Sequence, residues 1–169
     1  EVVQRPGVVL DERPGGRRTG SLPGRHLGIR VEPTLRVTEI FRSLQGESTR
    51  AGLPCAFIRL TGCALRCVWC DSEYAFTGGE EMDVEEAARR ALALDTELVE
   101  ITGGEPLEQE GAHPLMERLL AAGRTVLLET GGHVPIADVD PRVIKIVDVK
   151  APGSGMQAAN LPENLDALG

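Results

Sequence analysis

Aromatic residues are scarce, at 3% of the 169 positions. A folded core must therefore rest on Val, Leu, Ile and Ala. Acidic residues outnumber basic ones, with 26 Asp and Glu against 18 Lys and Arg, and the formal net charge is −8 at pH 7. Because contact with nucleic-acid phosphates requires a basic surface, this balance argues against a nucleic-acid partner. Acidic charge of this size is typical of a surface that keeps a protein in solution.

Long apolar segments are missing as well. No stretch approaches the roughly 20 apolar residues that a membrane helix needs, and the N-terminal arginines are not followed by the apolar segment of a secretory signal. The four cysteines are too few for a disulfide scaffold. Three of them lie within residues 63–70, which indicates metal or redox chemistry in a reducing compartment. The cytoplasm is the expected location.

Composition divides the chain into two regions. Residues 1–34 are rich in Gly, Pro and Arg and have no sustained hydrophobic period, which is typical of a flexible N-terminal extension. From residue 35 onward, β-like segments alternate with helical ones, and residues 35–169 are predicted to form one folded domain. The chain begins with Glu.

The order of the predicted elements indicates an α/β fold. Strands are predicted at LRVTEIF, CAFIRLTG, LVEI, TVLLET and VIKIVDVK, and helices at DVEEAARRALAL and HPLMERLLAAG. Asp83 and Glu86 form a capping-box pattern at the first helix, and Gly123 is the expected C-cap of the second. Strand–helix–strand units favour a parallel sheet with right-handed crossovers. Polar motifs follow the strands, at the edge where such sheets bind ligands.

The clustered cysteines, Cys63, Cys67 and Cys70, have the spacing C-x3-C-x2-C. A four-iron cluster held by three thiolates leaves one iron open to another ligand, whereas an electron-transfer ferredoxin normally carries a fourth cysteine. The missing thiol therefore indicates a reactive coordination position.

Zinc is the alternative metal for this loop. Zinc normally takes four protein ligands in a structural site. Cys55 could supply the fourth, but it lies at the far end of the preceding predicted strand, some 25 Å away at ~3.3 Å per residue. His113 and His133 have no fixed spacing to the cluster.

With Trp69 just before the last cysteine, the spacing resembles the signature of the radical S-adenosylmethionine enzymes. TGGEP, residues 102–106, resembles the GGEP motif of that superfamily, which contacts the methionine moiety. The two glycines would let the backbone approach a ligand closely. In the superfamily, S-adenosylmethionine chelates the fourth iron, and an electron from the cluster cleaves it to a 5′-deoxyadenosyl radical. The resemblance implies a partial, incomplete TIM-like barrel of parallel strands with helices outside.

Several segments between residues 38 and 156 resemble the 7-carboxy-7-deazaguanine synthase family, namely the region from FRSLQGES to CDSEYAF, then ITGGEPL, then DVKAPGSGM. The resemblance implies ring contraction of 6-carboxy-5,6,7,8-tetrahydropterin to 7-carboxy-7-deazaguanine with loss of ammonia, on the way to queuosine and other deazapurines. It implies a 4Fe–4S cluster, S-adenosylmethionine and Mg²⁺ as cofactors, a homodimer, and a reducing partner such as flavodoxin or ferredoxin. Family members continue beyond this chain's last residue, so the C-terminal part of the barrel is expected to be short or missing.

The resemblance also assigns roles to individual residues, but it identifies no catalytic acid or base. Cys63, Cys67 and Cys70 would bind the cluster, and the Ser72 hydroxyl would bind Mg²⁺. The residues assigned to S-adenosylmethionine are Trp69, Cys70, Asp71, Gly104, Asp148, Val149 and Lys150. The residues assigned to the substrate are Leu44, Gln45, Gly46, Glu47, Arg59 and Thr102. Glu129 and Thr130 are expected in the barrel lumen, with a solvated strand end as the alternative for Glu129.

Arg59 carries an argument of its own, because it interrupts an otherwise apolar strand. A buried guanidinium without an anion is costly, and a carboxylated substrate would give it a bidentate partner. The alternative is an internal ion pair with Glu47 or another acid.

Two other functions are possible for the same motifs. One is a different radical S-adenosylmethionine enzyme, such as a glycyl-radical activating enzyme, which shares the cysteine spacing. The other is a non-catalytic metal-binding or electron-transfer module. SLQGES and DVKAPGSG favour the pterin reaction over the first, and TGGEP beside three cysteines argues against the second.

Overall fold

The computed structural model describes residues 33–168. The predicted extension, residues 1–34, lies outside this range except for its last two positions. Six strands form one open sheet: β1 Thr34–Leu44, β2 Pro54–Leu60, β3 Glu80–Asp83, β4 Leu98–Gly103, β5 Thr125–Thr130 and β6 Ile144–Val147. The α-helices are α1 Val84–Leu92, α2 Ala112–Ala121 and the short α3 Glu163–Asp166.

The sheet has the strand order β3-β1-β2-β4-β5-β6. Strands β2, β4, β5 and β6 are parallel, which confirms an α/β fold with a mostly parallel sheet. Strand β1 instead pairs antiparallel with β2 and β3. The connection over residues 45–53 is too short for a crossover, so β1 and β2 can only form a hairpin.

Strand β3 was not predicted from the sequence. Its four residues, EEMD, have little strand character, and the strand exists because it pairs with β1 from Thr34 opposite Asp83 to Val37 opposite Glu80. Strand β1 also runs three residues beyond the predicted segment, to Leu44, which lies opposite Pro54. In both places, pairing with a neighbouring strand outweighs local propensity.

The structure contains the predicted N-cap of α1, and the glycine predicted to end α2 lies directly after the C-cap residue of that helix. The carboxylate of Asp83 accepts a hydrogen bond from the backbone N–H of Glu86 at 2.7 Å. The other half of the capping box is absent, because the Glu86 carboxylate binds Arg89 and Arg90 at 2.7 and 2.6 Å. Gly123 follows α2 with a φ of +77°, the left-handed conformation that ends many helices.

Helices α1 and α2 pack on one face of the sheet and form the main core with it. As expected from the scarcity of aromatics, this core is aliphatic; its fully buried strand residues are Ala56, Ile58, Leu60, Val99, Ile101, Val126 and Leu128. None of the helices within residues 33–168 is long and apolar enough to cross a bilayer.

The opposite face of the sheet changes character along the strands. Near the start of the parallel strands, Cys55, Phe57 and Leu98 belong to a small apolar cluster. Because side chains alternate along a strand, Arg59 and Glu100 lie on this same face, nearer the strand ends. The face is therefore apolar at its amino end and polar at its carboxyl end, where the site lies.

Candidate active site

A cavity of about 590 Å³ lies at the carboxyl ends of the parallel strands, within the usual size range of small-molecule sites. Side chains from β2, β4 and β5, the cysteine loop and the segment after β6 line it. Every residue assigned from the sequence to cluster, cofactor, magnesium or substrate lines this cavity except Leu44. The Leu44 side chain is 61% exposed at the end of β1, and its role stays a prediction.

The cysteine loop is tied to three other parts of the fold by backbone N–H groups. Gly62 donates to the carbonyl of Ala75 at 2.8 Å, and Val68 donates to the carbonyl of Ser154 at 3.0 Å. Ala64 donates to the carboxylate of Glu108 at 3.0 Å. These three bonds fix the path of the loop to the rest of the fold.

The three loop cysteines are free thiols that line one wall of the cavity. Within residues 33–168, no three His, Cys, Asp or Glu side chains converge closely enough for a single metal ion. In a four-iron cluster each thiolate binds a different iron, so its ligands need not meet at one metal ion. Burial raises the pKa of the Cys63 thiol, so iron has to displace a proton there.

The other candidate zinc ligands, Cys55, His113 and His133, do not line the cavity. Cys55 is fully buried at the opposite end of β2, and burial raises the pKa of its thiol to about 12. Such a thiol is chemically inert. His133 is engaged with Glu108, with Nε2 and Oε1 2.9 Å apart. None of these three candidates therefore shares the cavity with the three loop cysteines.

The TGGEP segment packs directly against the start of the cysteine loop. The N–H of Gly104 donates to the carbonyl of Leu60 at 3.0 Å, and the N–H of Glu105 donates to that of Gly62 at 2.7 Å. A Cβ at Gly103 or Gly104 would overlap the backbone of Leu60 or Gly62. Beyond any close approach to a ligand, the glycines are needed because two backbone segments touch here.

Glu105 is fully buried and binds three groups around it. Its carboxylate accepts hydrogen bonds from the Leu107 N–H at 3.0 Å, the Thr130 hydroxyl at 2.8 Å and the Gly131 N–H at 2.8 Å. The acid of TGGEP therefore holds the end of β5 against the end of β4. The hydroxyl of Thr130 is engaged in this contact.

We expect Glu105→Ala to lower the free energy of unfolding by about 3 kcal/mol, because it leaves buried donors without an acceptor. Chemical denaturation followed by circular dichroism measures the change. Glu110→Ala, at an exposed acid on the same connection, should change stability by less than about 0.5 kcal/mol. Equal stability of the two variants would contradict this role of Glu105.

Arg59 has an internal partner, but it is Glu39 and not Glu47. Nε of Arg59 donates to Oε1 of Glu39 at 2.8 Å, and the guanidinium carbon lies 5.8 Å from the centre of the Tyr74 ring. The terminal guanidinium nitrogens make no hydrogen bond to any residue in 33–168, and Arg59 lines the cavity. Both sequence interpretations of Arg59 are thus compatible with one geometry.

One part of the cavity lining is polar and is called the floor below. It consists of Gln45 and Glu47 after β1, Glu100 and Thr102 on β4, and Glu129 on β5. The Gln45 amide accepts from the Glu47 N–H at 2.9 Å and donates to the Glu100 carboxyl group. The Thr102 hydroxyl donates to Glu129 at 2.8 Å. Glu129 lines the cavity, as expected for a lumen residue.

Glu100 is the main residue of this floor that the sequence analysis missed. It is an acid within the apolar segment LVEI, which is the same signal that identified Arg59. A charged residue in a buried strand needs a polar partner or a functional reason. The signal was therefore present in the sequence.

Lys150 and Asp148 form an ion pair at the cavity wall, with Nζ and Oδ2 2.8 Å apart. Burial works to lower the pKa of Lys150, but the bond to Asp148 and the nearby thiols of Cys67 and Cys63 outweigh it and raise that pKa. A cation is thus maintained beside the cysteine loop, where an anionic ligand group could bind.

The far end of the cysteine loop carries Trp69 and Ser72. The Trp69 ring is 59% exposed and packs against Gly153, where a Cβ would contact the ring at 2.8 Å. The Ser72 hydroxyl oxygen lies 3.7 Å from the sulfur of Cys70. It is a hard oxygen atom of the kind that Mg²⁺ prefers, at the cavity and directly beside a loop cysteine.

The fold and site define a class of enzyme in which a cysteine loop holds an iron–sulfur cluster at the carboxyl edge of an open α/β sheet. Residues 57–150 match the family model of the radical SAM superfamily, and the chain belongs to that superfamily. Membership implies a 4Fe–4S cluster and S-adenosylmethionine as cofactors, and the cysteine loop and TGGEP fit them.

Individual proteins resemble the chain more specifically. It is 56% identical over 136 residues to the 7-carboxy-7-deazaguanine synthase of Koribacter versatilis, which covers 79% of this chain and 60% of that protein. It is 50% identical over 134 residues to the enzyme of the same name from Chlorobaculum tepidum, which covers 79% and 61%. The chain thus spans about three-fifths of the length of these curated relatives.

Among solved structures, the chain is similar to QueE from Escherichia coli. The TM-score is 0.67 at 26% sequence identity, over 79% of this chain and 68% of that one. This similarity supports the open, TIM-like α/β fold expected from the sequence.

Proposed function

We propose that this chain carries the active site of a 7-carboxy-7-deazaguanine synthase. The reaction converts 6-carboxy-5,6,7,8-tetrahydropterin to 7-carboxy-7-deazaguanine with loss of ammonia, in the formation of queuosine and other deazapurines. The main support is that a single cavity brings together the cysteine loop, Arg59, Ser72 and the polar floor. The names of the relatives agree with this reaction.

Arg59 and Ser72 would hold the substrate carboxylate. The unused terminal nitrogens of Arg59 suit bidentate binding of a carboxylate, while its bond to Glu39 keeps the guanidinium oriented. Mg²⁺ prefers oxygen ligands and retains several waters, so Ser72 and a substrate oxygen could complete its shell. Gln45, Gly46, Glu47 and Thr102 would contact the pterin ring.

The cofactor side of the cavity would be built from the cysteine loop and the segment after β6. When bound, the cluster and S-adenosylmethionine supply the radical chemistry at C6 of the pterin. Lys150 offers a cation to the methionine carboxylate, and Asp148 an acceptor to the ribose. The other residues proposed to contact S-adenosylmethionine are Trp69, Cys70, Asp71, Gly104 and Val149.

The partners of the enzyme are part of the proposal. A cluster that delivers electrons needs a reducing protein such as flavodoxin or ferredoxin, and we propose a homodimer on the basis of the family resemblance. Thiolates that hold iron persist in a reducing compartment, which favours the cytoplasm.

We expect Ser72→Ala to keep the cluster but to weaken the response of turnover to added Mg²⁺, because the variant loses the one protein oxygen proposed for the ion. Initial rates across a magnesium titration measure this response, and iron content verifies the cluster. Ser72→Thr keeps the oxygen and should restore the response. If the magnesium dependence of Ser72→Ala equals that of the wild type, Ser72 is not at the metal site.

The activity itself is tested by anaerobic reconstitution with iron and sulfide, followed by reduction and incubation with S-adenosylmethionine and the carboxytetrahydropterin. Mass spectrometry should detect 7-carboxy-7-deazaguanine. Formation of 5′-deoxyadenosine without the deazaguanine would instead support another radical SAM activity. A colourless protein with one bound zinc would support a non-catalytic module.

A further inference from the structure

Glu100 is a buried acid that none of the assigned roles explains. It lies in the middle of β4 on the cavity face of the sheet, and only 1% of its surface is exposed. Neighbours on its strand, Val99 and Ile101, belong to the aliphatic core on the other face. An ionisable group at such a position is costly unless it has partners.

The partners of Glu100 belong to the proposed substrate site. The carboxyl group accepts a hydrogen bond from the Gln45 side-chain amide, whose oxygen is in turn held by the Glu47 N–H at 2.9 Å. The orientation of the Gln45 amide is therefore determined at both ends. Thr102, two residues further along β4, orients Glu129 in the same way.

The floor contains several acids, namely Glu47, Glu100 and Glu129. No residue in 33–168 forms a salt bridge to Glu100. The negative charges of Glu129 on β5 and Glu47 after β1 both raise its pKa. Burial, followed by the hydrogen bond and charge of Glu129, raises the pKa of Glu100 to about 8. Its surroundings thus favour the protonated form of Glu100, in which the carboxyl group donates a hydrogen bond to Glu129 and accepts one from Gln45.

We propose that Glu100 is a specificity-determining residue, whose carboxyl group orients Gln45 and Glu129 to recognise the nitrogen-rich edge of a 2-amino-4-oxopyrimidine ring. The inference rests on the proposed function, which supplies a substrate with this edge. An amino group and its neighbouring ring N–H present two parallel donors, which match the two oxygens of one carboxylate. The adjacent ring carbonyl needs a donor, which the second N–H of the Gln45 side-chain amide can provide.

The floor should therefore reject a ring whose 2-amino group is replaced by a carbonyl. In such a ring an acceptor replaces the donor at position 2. Its carbonyl oxygen would lie against the carboxylate of Glu129, and the two oxygens would repel each other. Sites built around a hydrogen-bonding substrate group discriminate strongly against analogues that lack it, because their own buried groups are left unpaired. Pterin-6-carboxylate and lumazine-6-carboxylate differ in the 2-substituent and in the proton that the 2-carbonyl form carries on the neighbouring ring N1.

The test compares the affinity of the reconstituted protein for these two stable aromatic analogues, measured by their intrinsic fluorescence in the presence of S-adenosylmethionine and Mg²⁺. We expect the wild type to prefer the pterin by at least about 30-fold. Glu100→Leu should bind the pterin about 10-fold more weakly and lose most of the preference. Glu100→Gln, which keeps the shape and the hydrogen bonding, should stay within about 3-fold of the wild type.

Two further variants keep the test decisive. Glu97→Leu changes an exposed acid just before the same strand and should alter neither affinity nor preference. Gln45→Met removes the Glu100 contact from the other side, so it should reduce the preference even if Glu100→Leu folds poorly. If Glu100→Leu and Gln45→Met both keep the wild-type preference, the inference is overturned.

Product formation by the wild type separates this inference from the proposed function. If 7-carboxy-7-deazaguanine forms while the Glu100 and Gln45 variants keep full preference, only the role of Glu100 is wrong. If the wild type makes no product but prefers the pterin in a Glu100-dependent manner, the inference stands and the proposed reaction is wrong. A wild type with neither product nor preference overturns both.

Discussion

In the Cys67→Ala variant we expect no intact cluster and no turnover. In the proposed site each of the three loop thiolates would hold one iron and S-adenosylmethionine would bind the fourth, so no spare ligand could replace a lost thiol. Cys55, the remaining cysteine, is fully buried outside the cavity. The loss should therefore be complete and not a partial reduction in rate.

Iron and sulfide analysis, visible absorption and electron paramagnetic resonance of the reduced protein measure the cluster, and anaerobic product formation measures turnover. Cys55→Ala is the matched control. It removes a buried thiol from the apolar cluster beside Phe57 and should leave about four irons per chain. Retained turnover of Cys67→Ala under strict anaerobiosis would contradict the three-cysteine site.

Arg59→Leu should lower kcat/KM by about 10²- to 10³-fold, chiefly through a higher KM. Truncating one partner of a buried, hydrogen-bonded charge pair typically costs about 2–5 kcal/mol. The proposed substrate carboxylate would lose the two parallel N–H donors of the guanidinium in this variant. Arg59→Lys keeps the charge but not the two parallel N–H groups, so an intermediate loss is expected. Steady-state kinetics with the carboxytetrahydropterin measure both variants.

Glu39→Gln distinguishes substrate binding from a structural role of Arg59. It removes the ion pair of 2.8 Å but leaves the guanidinium in the cavity. If Arg59 binds the substrate, Glu39→Gln should raise KM far less than Arg59→Leu does. Equal effects of the two variants on KM, with unchanged cluster content, would mean that Arg59 serves only as the partner of Glu39.

Much of the fold could be predicted because its signals are local. The parallel strands, both longer helices and the end of α2 two residues before Gly123 follow from hydrophobic period and turn residues within short windows. Strand β3 could not be found in this way, because its four residues become a strand only through pairing with β1. The antiparallel direction of β1 likewise follows from the short hairpin connection.

The candidate site shows the same division between local and distant information. Cys63, Cys67 and Cys70 share one short loop, so their spacing by itself indicates the cluster. Arg59 and Glu100 interrupt apolar strands, which reveals from sequence that each needs a partner. Their partners, Glu39 and Gln45, lie 20 and 55 positions away along the chain, and no sequence pattern connects them.

By itself, the sequence determined the three-thiol loop, the α/β order of elements and the location of polar residues at strand ends, because these depend on neighbours within a few positions. Only the tertiary structure decided that Glu39 holds Arg59, that Glu105 joins two strand ends, and that Glu100 belongs to the floor of the site. Those contacts depend on strand register and packing, which bring together side chains that are distant in the chain.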